Sequence, residues 1–544
     1  MYVPDSFSTI CTETCKQELI GFLLSLSLHH TNSKVYIICD TGTKQYIENS
    51  TPHIKLDIHW KNDLDKFSRM NRKEMEKKGV WGDFQMAKAD VISFALETSK
   101  DTLFIDSDTI ILDKLELPSN VKKLGVSPQY ITKEHVKRTG YYNGGMLWTN
   151  QKSLPSNWKK YTKCSRYYDQ ASIEDLTKIY DFFEFGENYN LQTWRFYYGL
   201  EPKKKIISNI TVQNDVIQYK KNNLKFIHTH FNSNQFREVN NLFIEKLKEA
   251  RRWKELLIIY RVIHNKWIIK IPTQPRRDLY FHANDSFREY STLFQLNNKD
   301  VDIRKTTNSG HCWIEPNILL YDRATLKWVN DEVKKTSLIM LGNGDINHEG
   351  KELKKYCPNV SSWIFWPRHP SILEKILQTK GILKWNERTI ESIFIGNYEN
   401  SVQEKFRNTK HQWSNVLTEY HCTKGTKHLF SNEEYLMKLR ASKYGLCLRG
   451  FGSKCNRDVE LMAFGTVPIV TKEVSITSYY DSPIENVHYI FVHNEQDLKD
   501  KIQSIKREQW EKMSQACYEW YQRNVYSKNG WNTMMETILY SLKK

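Results

Sequence analysis

Short apolar runs alternate with helical patterns over the first 150 residues. Residues 7–12 and 34–40 are predicted strands, because β-branched and aromatic side chains are frequent in them. Residues 16–29 and 81–98 are predicted helices, and in the second helix apolar side chains recur every three or four positions. Strands and helices in this order predict a parallel α/β sheet with helices on both faces.

A third apolar run, residues 102–105, leads directly into Asp106, Ser107 and Asp108. Side chains alternate along a strand, so the two carboxylates point the same way once the chain leaves the sheet. Two converging carboxylates repel each other unless a cation lies between them, and oxygen ligands suit Mg²⁺ or Mn²⁺. The segment therefore predicts a metal site, although a pair of surface acids at a strand end fits the same pattern.

Three later segments carry further candidate chemistry. The run Tyr142-Asn143-Gly144-Gly145 has two glycines that allow a backbone to approach a ligand closely, or it forms an Asn-Gly hairpin turn. Asp169 and Gln170 form an acid–amide pair. A predicted strand ends in His228 and His230, which lie on one side of it and offer a third metal ligand.

The second half of the chain repeats the alternation of strands and helices after a change of pattern. Residues 236–267 predict one or two long basic amphipathic helices, and the Pro-interrupted residues 271–277 predict a hinge. We therefore expect a domain boundary near residue 272. Strands are predicted at 337–341, 361–366, 390–396, 444–448 and 467–470, and residues 497–525 predict one or two closing helices.

Residues 441–470 contain the densest cluster of charge and glycine in this second half. Their pattern predicts a strand, a glycine-rich loop, a helix and a second strand, and such a loop exposes backbone N–H groups to an anion. Arg449, Lys454 and Arg457 add positive charge, and Glu460 lies one helical turn after Arg457. An acid could face a ribose while the bases face a phosphate. A basic solvated loop before an ordinary core helix is the alternative.

Composition restricts the class of protein but does not name a function. The 544 residues are 40% hydrophobic and 13% aromatic, which excludes a wholly disordered or collagen-like chain. A net charge of +17 favours polyanionic or phosphorylated partners. The ten cysteines contain no Cys-x-x-Cys pair and indicate reduced thiols. The apolar residues 19–28 cover about half the length that a bilayer requires, so we expect a buried amphipathic helix and no membrane span.

The motifs of residues 5–235, taken in order, resemble the GT-A nucleotide-sugar transferases, in particular the glycogenin-like family eight. The resemblance implies a Mn²⁺ or Mg²⁺ ion held by Asp106, Asp108 and His228, with His230 as the competing ligand. It implies that Asp169 and Gln170 lie near the anomeric carbon as catalytic residues. The donor-binding residues that it implies are Thr12, Asp40, Lys88, Asp106, Ser107, Asp108, Asn143, Gly144 and Gly145.

Residues 390–475 are similar to the nucleotide-binding half of exostosin-like GT-B transferases. That resemblance assigns Arg449 and Arg457 to a donor diphosphate and Glu460 to its ribose, without a metal. Leu448 and Leu461 replace the proline and alanine of the family pattern. The full set of donor-binding residues predicted for this half is Gly396, Arg407, Arg449, Lys454, Arg457 and Glu460, and His311, Glu315 and Asp345 are candidates on the acceptor side.

Together these observations predict an α/β protein in which a GT-A domain with a Rossmann-like mixed sheet precedes a reduced GT-B-like unit. The expected divisions are a GT-A domain at 1–235, a helical linker at 236–272, and the two parts of the GT-B-like unit at 273–388 and 389–544. The expected function is bifunctional glycosyl transfer from UDP- or GDP-sugars to a glycan or glycoprotein acceptor.

Two other functions fit parts of the sequence. The net charge and the acid pair would also suit a basic, metal-dependent nucleic-acid-binding protein or nuclease. One active transferase module beside an inactive glycan-binding module is the other alternative. Because no nucleic-acid-binding motif appears and the lysines are spread thinly, we expect no nucleic-acid partner. We expect a soluble cytoplasmic enzyme, bacterial or viral, in the latter case in the host cytoplasm.

Overall fold

The structure is a computed structural model in which the chain divides into two compact units, Met1–Lys266 and Trp267–Lys544. The residues that it describes are 2–50, 53–118, 122–273, 281–307, 311–321, 338–342, 351, 353–355, 357, 359–364, 366–408, 410–450, 452–476 and 479–541. Asp345 and the Gln-Pro-Arg-Arg part of the predicted hinge lie outside these described residues.

The first unit is built from alternating strands and helices. Its strands are β1 (Ser6–Cys11), β2 (Lys34–Cys39), β3 (Asp57–Asn62), β4 (Thr102–Ile105), β5 (Thr109–Ile111), β6 (Leu124–Pro128), β7 (Tyr142–Thr149), β8 (Phe182–Glu184), β9 (Asn190–Gln192), β10 (Ile210–Gln213), β11 (Val216–Tyr219), β12 (Asn222–Asn223) and β13 (Phe226–His228). Its helices are α1 (Lys16–His29), α2 (Thr41–Ser50), α3 (Arg72–Lys77), α4 (Trp81–Leu96), α5 (Lys133–Thr139), α6 (Leu154–Thr162), α7 (Tyr168–Ala171), α8 (Ile173–Ile179), α9 (Arg195–Tyr198), α10 (Lys203–Ser208), α11 (Arg237–Glu249) and α12 (Trp253–His264).

A seven-stranded sheet of order β3-β2-β1-β4-β7-β6-β8 forms the centre of the first unit. Strands β1 to β4 pair in parallel, whereas β7 pairs antiparallel with both β4 and β6. The prediction of a Rossmann-like mixed sheet is therefore confirmed. The alternative of an Asn-Gly hairpin turn is wrong, because Asn143, Gly144 and Gly145 all lie inside the buried strand β7.

Two small sheets complete the first unit. Strands β5, β13 and β9 form one of them, with β13 antiparallel to β5 and parallel to β9. Strands β10, β11 and β12 form the other as an antiparallel meander. Asp106 and Asp108 lie in the short connection from β4 to β5, so the acid pair joins the central sheet to the first small sheet.

Helix α1 is buried along most of its length rather than on one face only. All residues from Glu18 to Ser27 are buried, and the helix packs against β5 and α12. A helix that is apolar on all sides belongs in a protein interior. The buried part of α1 is therefore enclosed on all sides, whereas an amphipathic helix would have one exposed face. Glu18 is the one acid in this buried run.

The residues predicted as a helical linker form part of the two units. Helices α11 and α12 belong to the first unit, where α12 packs on α1. Residues Trp267–Pro272 form a strand of the second unit, and Pro272 is its last residue. The chain passes from the first compact unit to the second between Lys266 and Trp267, and the residues from Trp267 to Pro272 pair with other strands.

The second unit contains two sheets. Its strands are β14 (Trp267–Pro272), β15 (Val301–Thr306), β16 (Cys312–Ile314), β17 (Ile318–Tyr321), β18 (Leu338–Leu341), β19 (Val360–Ser362), β20 (Ile390–Tyr398), β21 (Glu419–Lys424), β22 (Ser442–Cys447), β23 (Val467–Val470) and β24 (Ile490–Phe491). Its helices are α13 (Phe281–Asn297), α14 (Pro370–Lys380), α15 (Ser401–Arg407), α16 (Lys410–Trp413), α17 (Asn432–Ala441), α18 (Asn456–Ala463), α19 (Glu495–Ser504), α20 (Arg507–Asn524) and α21 (Ser527–Glu536).

The first sheet of the second unit is mixed, in the order β15-β14-β16-β17-β18-β19, and the second is wholly parallel, in the order β21-β20-β22-β23-β24. Parallel strands place their carboxyl ends along one edge, where loops bind ligands in such sheets. None of the ten cysteines forms a disulfide bond in the structure. Within the described part of the chain, none of the helices combines the length and the hydropathy needed to cross a bilayer.

Candidate functional site

A cleft of about 560 Å³ opens in the first unit where β1 and β4 end. It is lined by most of the residues that the sequence singled out in this half. These are Thr12, Lys88, Asp106, Ser107, Asp108, Asn143, Gly144, Gly145, Asp169, Gln170, His228 and His230. Residues more than 200 positions apart in the chain thus converge on one site.

Lys88 joins two of the acids at the base of the cleft. Its Nζ, projecting from α4, lies 3.1 Å from Asp106 Oδ1 and 3.2 Å from Asp169 Oδ2, and it donates a hydrogen bond to the Gly144 carbonyl at 3.0 Å. Burial alone would lower the pKa of Lys88, but the two carboxylates raise it above its ordinary value. The ammonium group therefore holds the carboxylates of Asp106 and Asp169 in place.

Asp108 contacts both histidines at the end of β13. His228 Nε2 lies 3.2 Å from Asp108 Oδ1, and His230 Nε2 lies 3.3 Å from Asp108 Oδ2. Burial would raise the pKa of Asp108, but the two imidazoles hold it well below its usual range. Burial raises the pKa of the neighbouring Asp106, and the charge of Asp108 adds to that shift.

The two histidines differ in what their other ring nitrogens contact. His228 Nδ1 lies 3.0 Å from the amide oxygen of Asn190, which fixes the proton on Nδ1 and leaves Nε2 available as a ligand. His230 Nδ1 lies 2.9 Å from Glu18 Oε1, and its side chain is 46% exposed. The interactions with Asp108 and Glu18 raise the pKa of His230 to about 10 against the opposing effect of its burial.

Asp106, Asp108 and His228 fit a divalent cation. One ligand atom from each of the three lies within 4.8 Å of the others. Two carboxylate oxygens and one imidazole nitrogen suit Mn²⁺ or Mg²⁺. The sequence left the choice between His228 and His230 open, and this geometry favours His228.

The two glycines of β7 are explained by the acids beside them. A Cβ atom on Gly144 would overlap the Asp169 carboxylate. A Cβ atom on Gly145 would lie 2.5 Å from Asp106 Oδ2 and 2.6 Å from His228 Cε1. The close approach that the glycines permit is therefore an approach to the side chains of the protein itself, and it allows the carboxylates to converge at the cleft.

A buried network of carboxamides lies behind these glycines. Asn143 Nδ2 donates to Gln192 Oε1 at 2.9 Å, and Asn143 Oδ1 accepts from Gly145 N at 2.9 Å and from Asn190 Nδ2 at 3.0 Å. The network ends at Ser127, whose Oγ accepts from Asn190 Nδ2 at 3.2 Å. Asn143 is thus held in one orientation, and Asn190 is held where its oxygen meets His228.

The predicted pair Asp169 and Gln170 lies at the start of α7, and both side chains line the cleft. Asp169 is buried beside Lys88, whereas Gln170 Nε2 donates to the Thr139 carbonyl at 2.9 Å. The pair is therefore held beside Gly144 of β7 by one ion pair and one hydrogen bond to the backbone.

Asp40 is the one predicted residue of this half that does not line the cleft. Its carboxylate accepts hydrogen bonds at 2.7 Å from Glu13 N and from Thr43 N. It therefore caps helix α2 and ties down the loop after β1, a common role for an Asp before a helix. Thr12 does lie in the cleft wall, at the end of β1.

The sequence prediction missed several residues of the cleft. An acid within an apolar helical run, Glu18, was the available signal for one of them, because a buried acid requires a partner. Alternation along β9 placed Gln192, a cleft residue, on the same face as Asn190, which was a second signal. The other missed lining residues include Arg72, Trp81, Gln129, His135, Trp194 and Tyr198.

In the second unit, the side chains of Arg407 and Arg457 and the main chain of Arg449 lie together at the carboxyl end of β20. Arg407 donates to the Arg449 carbonyl at 3.0 Å and to the Asn397 carbonyl at 2.9 Å. Arg457 donates to the Ile395 carbonyl and lies over the Phe394 ring. Its Nε and Nη1 are buried and have no hydrogen-bond partner in the described part of the chain.

Two further predicted donor-binding residues of this half, Lys454 and Glu460, form hydrogen bonds inside the fold. Lys454 is buried, and its Nζ donates to Ser362 Oγ and to the Trp363 carbonyl at 3.1 Å. Glu460 accepts from Arg368 N at 2.8 Å and from the Tyr435 hydroxyl at 2.7 Å, and burial raises its pKa. Both side chains thus already have polar partners.

Gly396, also predicted as a donor-binding residue, lies within β20 beside Arg457, whose Nη2 is 2.8 Å from the position of a glycine Cβ. His311 is buried at the start of β16, and Glu315 lies beside Lys270 just after that strand. The structure thus brings Gly396, Arg407, Arg449 and Arg457 together and directs Lys454 and Glu460 into internal contacts.

No protein-family model matches this sequence, and no curated protein matches it significantly. Among solved structures, the chain is similar to the glycosyltransferase GlyE of Streptococcus pneumoniae, with 11% identity and a TM-score of 0.32 over 93% of this chain and 99% of that one. The galactosyltransferase LgtC, in complex with donor and acceptor sugar analogues, shares 13% identity with a TM-score of 0.31, over 46% of this chain and 99% of that one. The bifunctional glycosyltransferase WbbM shares 12% identity with a TM-score of 0.30, over 48% and 51%.

Proposed function

We propose that this protein is a glycosyltransferase whose first unit moves a sugar from a nucleoside diphosphate to an acceptor hydroxyl. The observation that carries the proposal is the convergence of Asp106, Asp108 and His228 at the end of β4, inside a cleft that also contains Asp169. In this reaction the bond from C1 of the sugar to the diphosphate oxygen breaks. A bond from C1 to the acceptor oxygen forms, and the hydroxyl proton passes to the released diphosphate.

Asp106, Asp108 and His228 would hold Mn²⁺ or Mg²⁺, which when bound supplies positive charge to stabilise a leaving diphosphate. Asn190 orients the imidazole of His228, and Lys88 keeps the carboxylates of Asp106 and Asp169 at a fixed separation. Asp169 and Gln170 lie beside the anomeric carbon of the donor. Groups that are positioned before the substrate binds need little reorganisation when charge develops.

The second unit carries a second donor site, which needs no metal, at the carboxyl end of β20. The support for this part of the proposal is that the side chains of Arg407 and Arg457 lie there, beside Gly396 and the main chain of Arg449. Two buried nitrogens of Arg457 lack a partner in the described residues, and a buried N–H group without a partner is costly. A diphosphate oxygen would satisfy them. The whole chain is then bifunctional.

The proposal is tested by release of UDP or GDP from a panel of UDP- and GDP-sugars by the full chain, with Mn²⁺ and with a chelator. We expect turnover that the chelator abolishes for at least one donor. In Asp108→Asn that turnover should fall by about 100-fold or more, because a ligand of the metal that would stabilise the leaving diphosphate is lost. Turnover that persists in the chelator belongs to the second unit.

The matched control is Asp175→Asn, which removes a carboxylate that pairs with Lys178 on the exposed helix α8. Because Asp175 does not line the cleft, its turnover should stay within about twofold of wild type. Full metal-dependent activity in Asp108→Asn would contradict the proposal. So would salt-dependent binding of DNA or RNA by a protein that turns over none of the donors.

A further inference from the structure

Two aromatic side chains that nothing in the donor site requires stand at the cleft of the first unit. Trp194 and Tyr198 both line the cleft and are 40% and 41% exposed. Their rings are nearly parallel, with centroids 5.9 Å apart and an angle of 15°. His135, also a cleft residue, stacks on Tyr198 at 4.2 Å. We call these three side chains the aromatic platform.

The aromatic platform is fixed to the strand that carries His228. Thr193, the residue before Trp194, donates to the His228 carbonyl from its backbone N at 3.0 Å and from its Oγ1 at 3.1 Å. At the other end of α9, the Tyr198 carbonyl accepts from Thr132 N at 2.9 Å. The separation between the exposed rings and the candidate metal ligands is therefore set by main-chain hydrogen bonds.

A buried arginine supports the platform from beneath. Arg195 lies between the two exposed rings in sequence, yet it is itself buried, with its guanidinium 4.2 Å from the centroid of the Tyr130 ring. It also donates to the Glu187 carbonyl at 3.2 Å. The short helix α9 is thus anchored on its inner side, and Trp194 and Tyr198 are held at the surface of the cleft.

The position of the platform separates it from the donor side of the cleft. Thr12 follows β1, which neighbours β4 in the central sheet, whereas Trp194 follows β9 at the far edge of the small sheet that contains β13. The acid pair lies in the connection between these two sheets. A molecule on the platform would therefore contact the part of the cleft wall that follows β9, whereas Thr12 belongs to the part that follows β1.

We infer that the aromatic platform binds the acceptor and that the acceptor presents a hexopyranose ring to it. This inference rests on the proposed function of the first unit. The C–H face of a pyranose is apolar and flat enough to cover an aromatic ring, while its hydroxyls remain free for polar neighbours. Gln192 and His230 are polar residues of the same cleft. The terminal sugar thus stacks on Trp194 and Tyr198 while one hydroxyl faces the donor.

The experiment uses the full chain with UDP and Mn²⁺ and a panel of methyl α- and β-glucosides, galactosides and mannosides, observed by saturation-transfer NMR. We expect saturation of the ring protons on one face of at least one glycoside. Trp194→Ala and Tyr198→Ala should each weaken that binding by about three- to tenfold, the range of a lost ring contact. Trp194→Phe, which keeps a ring, should retain most of it.

Tyr197→Ala is the matched control. Tyr197 lies on the same short helix and is 43% exposed, but it does not line the cleft, so its removal should leave glycoside binding within about twofold of wild type. Absence of any glycoside signal in the wild type, or an equal loss in Tyr197→Ala, would overturn the inference.

Donor release measured without an acceptor separates this inference from the proposed function. Should no donor be turned over while glycosides still bind the platform, the proposed reaction fails and the binding surface stands. A raised KM for the donor in Trp194→Ala with unchanged glycoside binding would assign the platform to the nucleobase and overturn the inference.

Discussion

Both units place charged residues at the ends of parallel strands, but the surroundings of these residues differ between the two units. In the first unit, Asp106, Asp108 and His228 face a cleft with their ligand atoms close together. In the second unit, Lys454 and Glu460 are buried and hydrogen-bonded to other parts of the fold. A charged residue in a motif is therefore a candidate for ligand binding where packing leaves it facing an open cleft and not where it is enclosed within the fold.

The largest effect is expected at His228, where the comparison is between two neighbouring histidines. Because His228 lies with Asp106 and Asp108 in the candidate metal site, His228→Gln should lower the affinity for Mn²⁺ by more than about 100-fold, which exceeds the usual effect of residues that merely orient a ligand. His230→Gln should lower it by less than about tenfold. Mn²⁺ binding is measured by titration calorimetry on the full chain. A larger loss in His230→Gln would reverse the assignment.

The next effect concerns a buried charge of the first unit that lies outside the cleft. Burial alone would raise the pKa of Glu255, but Arg252 and His29, whose Nε2 is 3.4 Å away, hold it well below its ordinary value. A carboxyl group whose pKa is lowered on folding stabilises the fold at pH values above its pKa in the unfolded chain, ~4.3. This contribution is lost progressively as the pH falls from there towards the pKa of the group in the folded protein. Glu255→Gln should therefore lower the free energy of unfolding by about 3 kcal/mol at pH 7.

Hydrogen exchange of the α12 amides in the full chain provides the measurement for Glu255→Gln. Wild-type protection should fall from about pH 5 towards pH 3, and the variant should show a smaller dependence over that window. Glu249→Gln removes an exposed acid that pairs with Lys246 and should change protection by less than about 0.5 kcal/mol. Equal pH profiles in wild type and Glu255→Gln would contradict the role given to this carboxylate.

The smallest expected effect concerns nucleotide binding by the second unit. Arg457→Gln should weaken binding of UDP or GDP by about tenfold, since one charged hydrogen-bonding group is lost. Lys454→Gln should change it by less than about twofold, because that ammonium group donates to Ser362 and Trp363. Both are measured by calorimetry on the full chain with a chelator present. A greater loss in Lys454→Gln would restore the role that the sequence pattern assigned to it.

Much of the first unit could be predicted from local pattern. The strand before Asp106, the helix that carries Lys88 and the strand before His228 were all predicted, because each is a short apolar run or a helical repeat. Strand β7 was predicted only as a glycine motif. Its glycines suggested a turn, whereas the neighbouring carboxylates in the folded protein are what require them.

The contacts that the local sequence pattern could not predict join residues that are far apart in the sequence. Glu18 meets His230 only because α1 lies beside the end of β13, and Asp40 is drawn away from the cleft by its bonds to Glu13 and Thr43. The first two residues of the predicted hinge, Ile271 and Pro272, instead pair with β15 at the end of β14, and proline is tolerated at such a strand end.

The sequence by itself determined that this is an α/β chain with an acid pair at the end of a strand and a basic, glycine-rich loop in its second half. Alternation and periodicity are local properties, so they can be read without the fold. Only the tertiary structure decided that His228 is the better placed ligand, that Asp40 is a helix cap and that Trp194 and Tyr198 stand at the cleft. Those outcomes depend on which side chains from distant parts of the chain come into contact, and the packing of the folded chain determines these contacts.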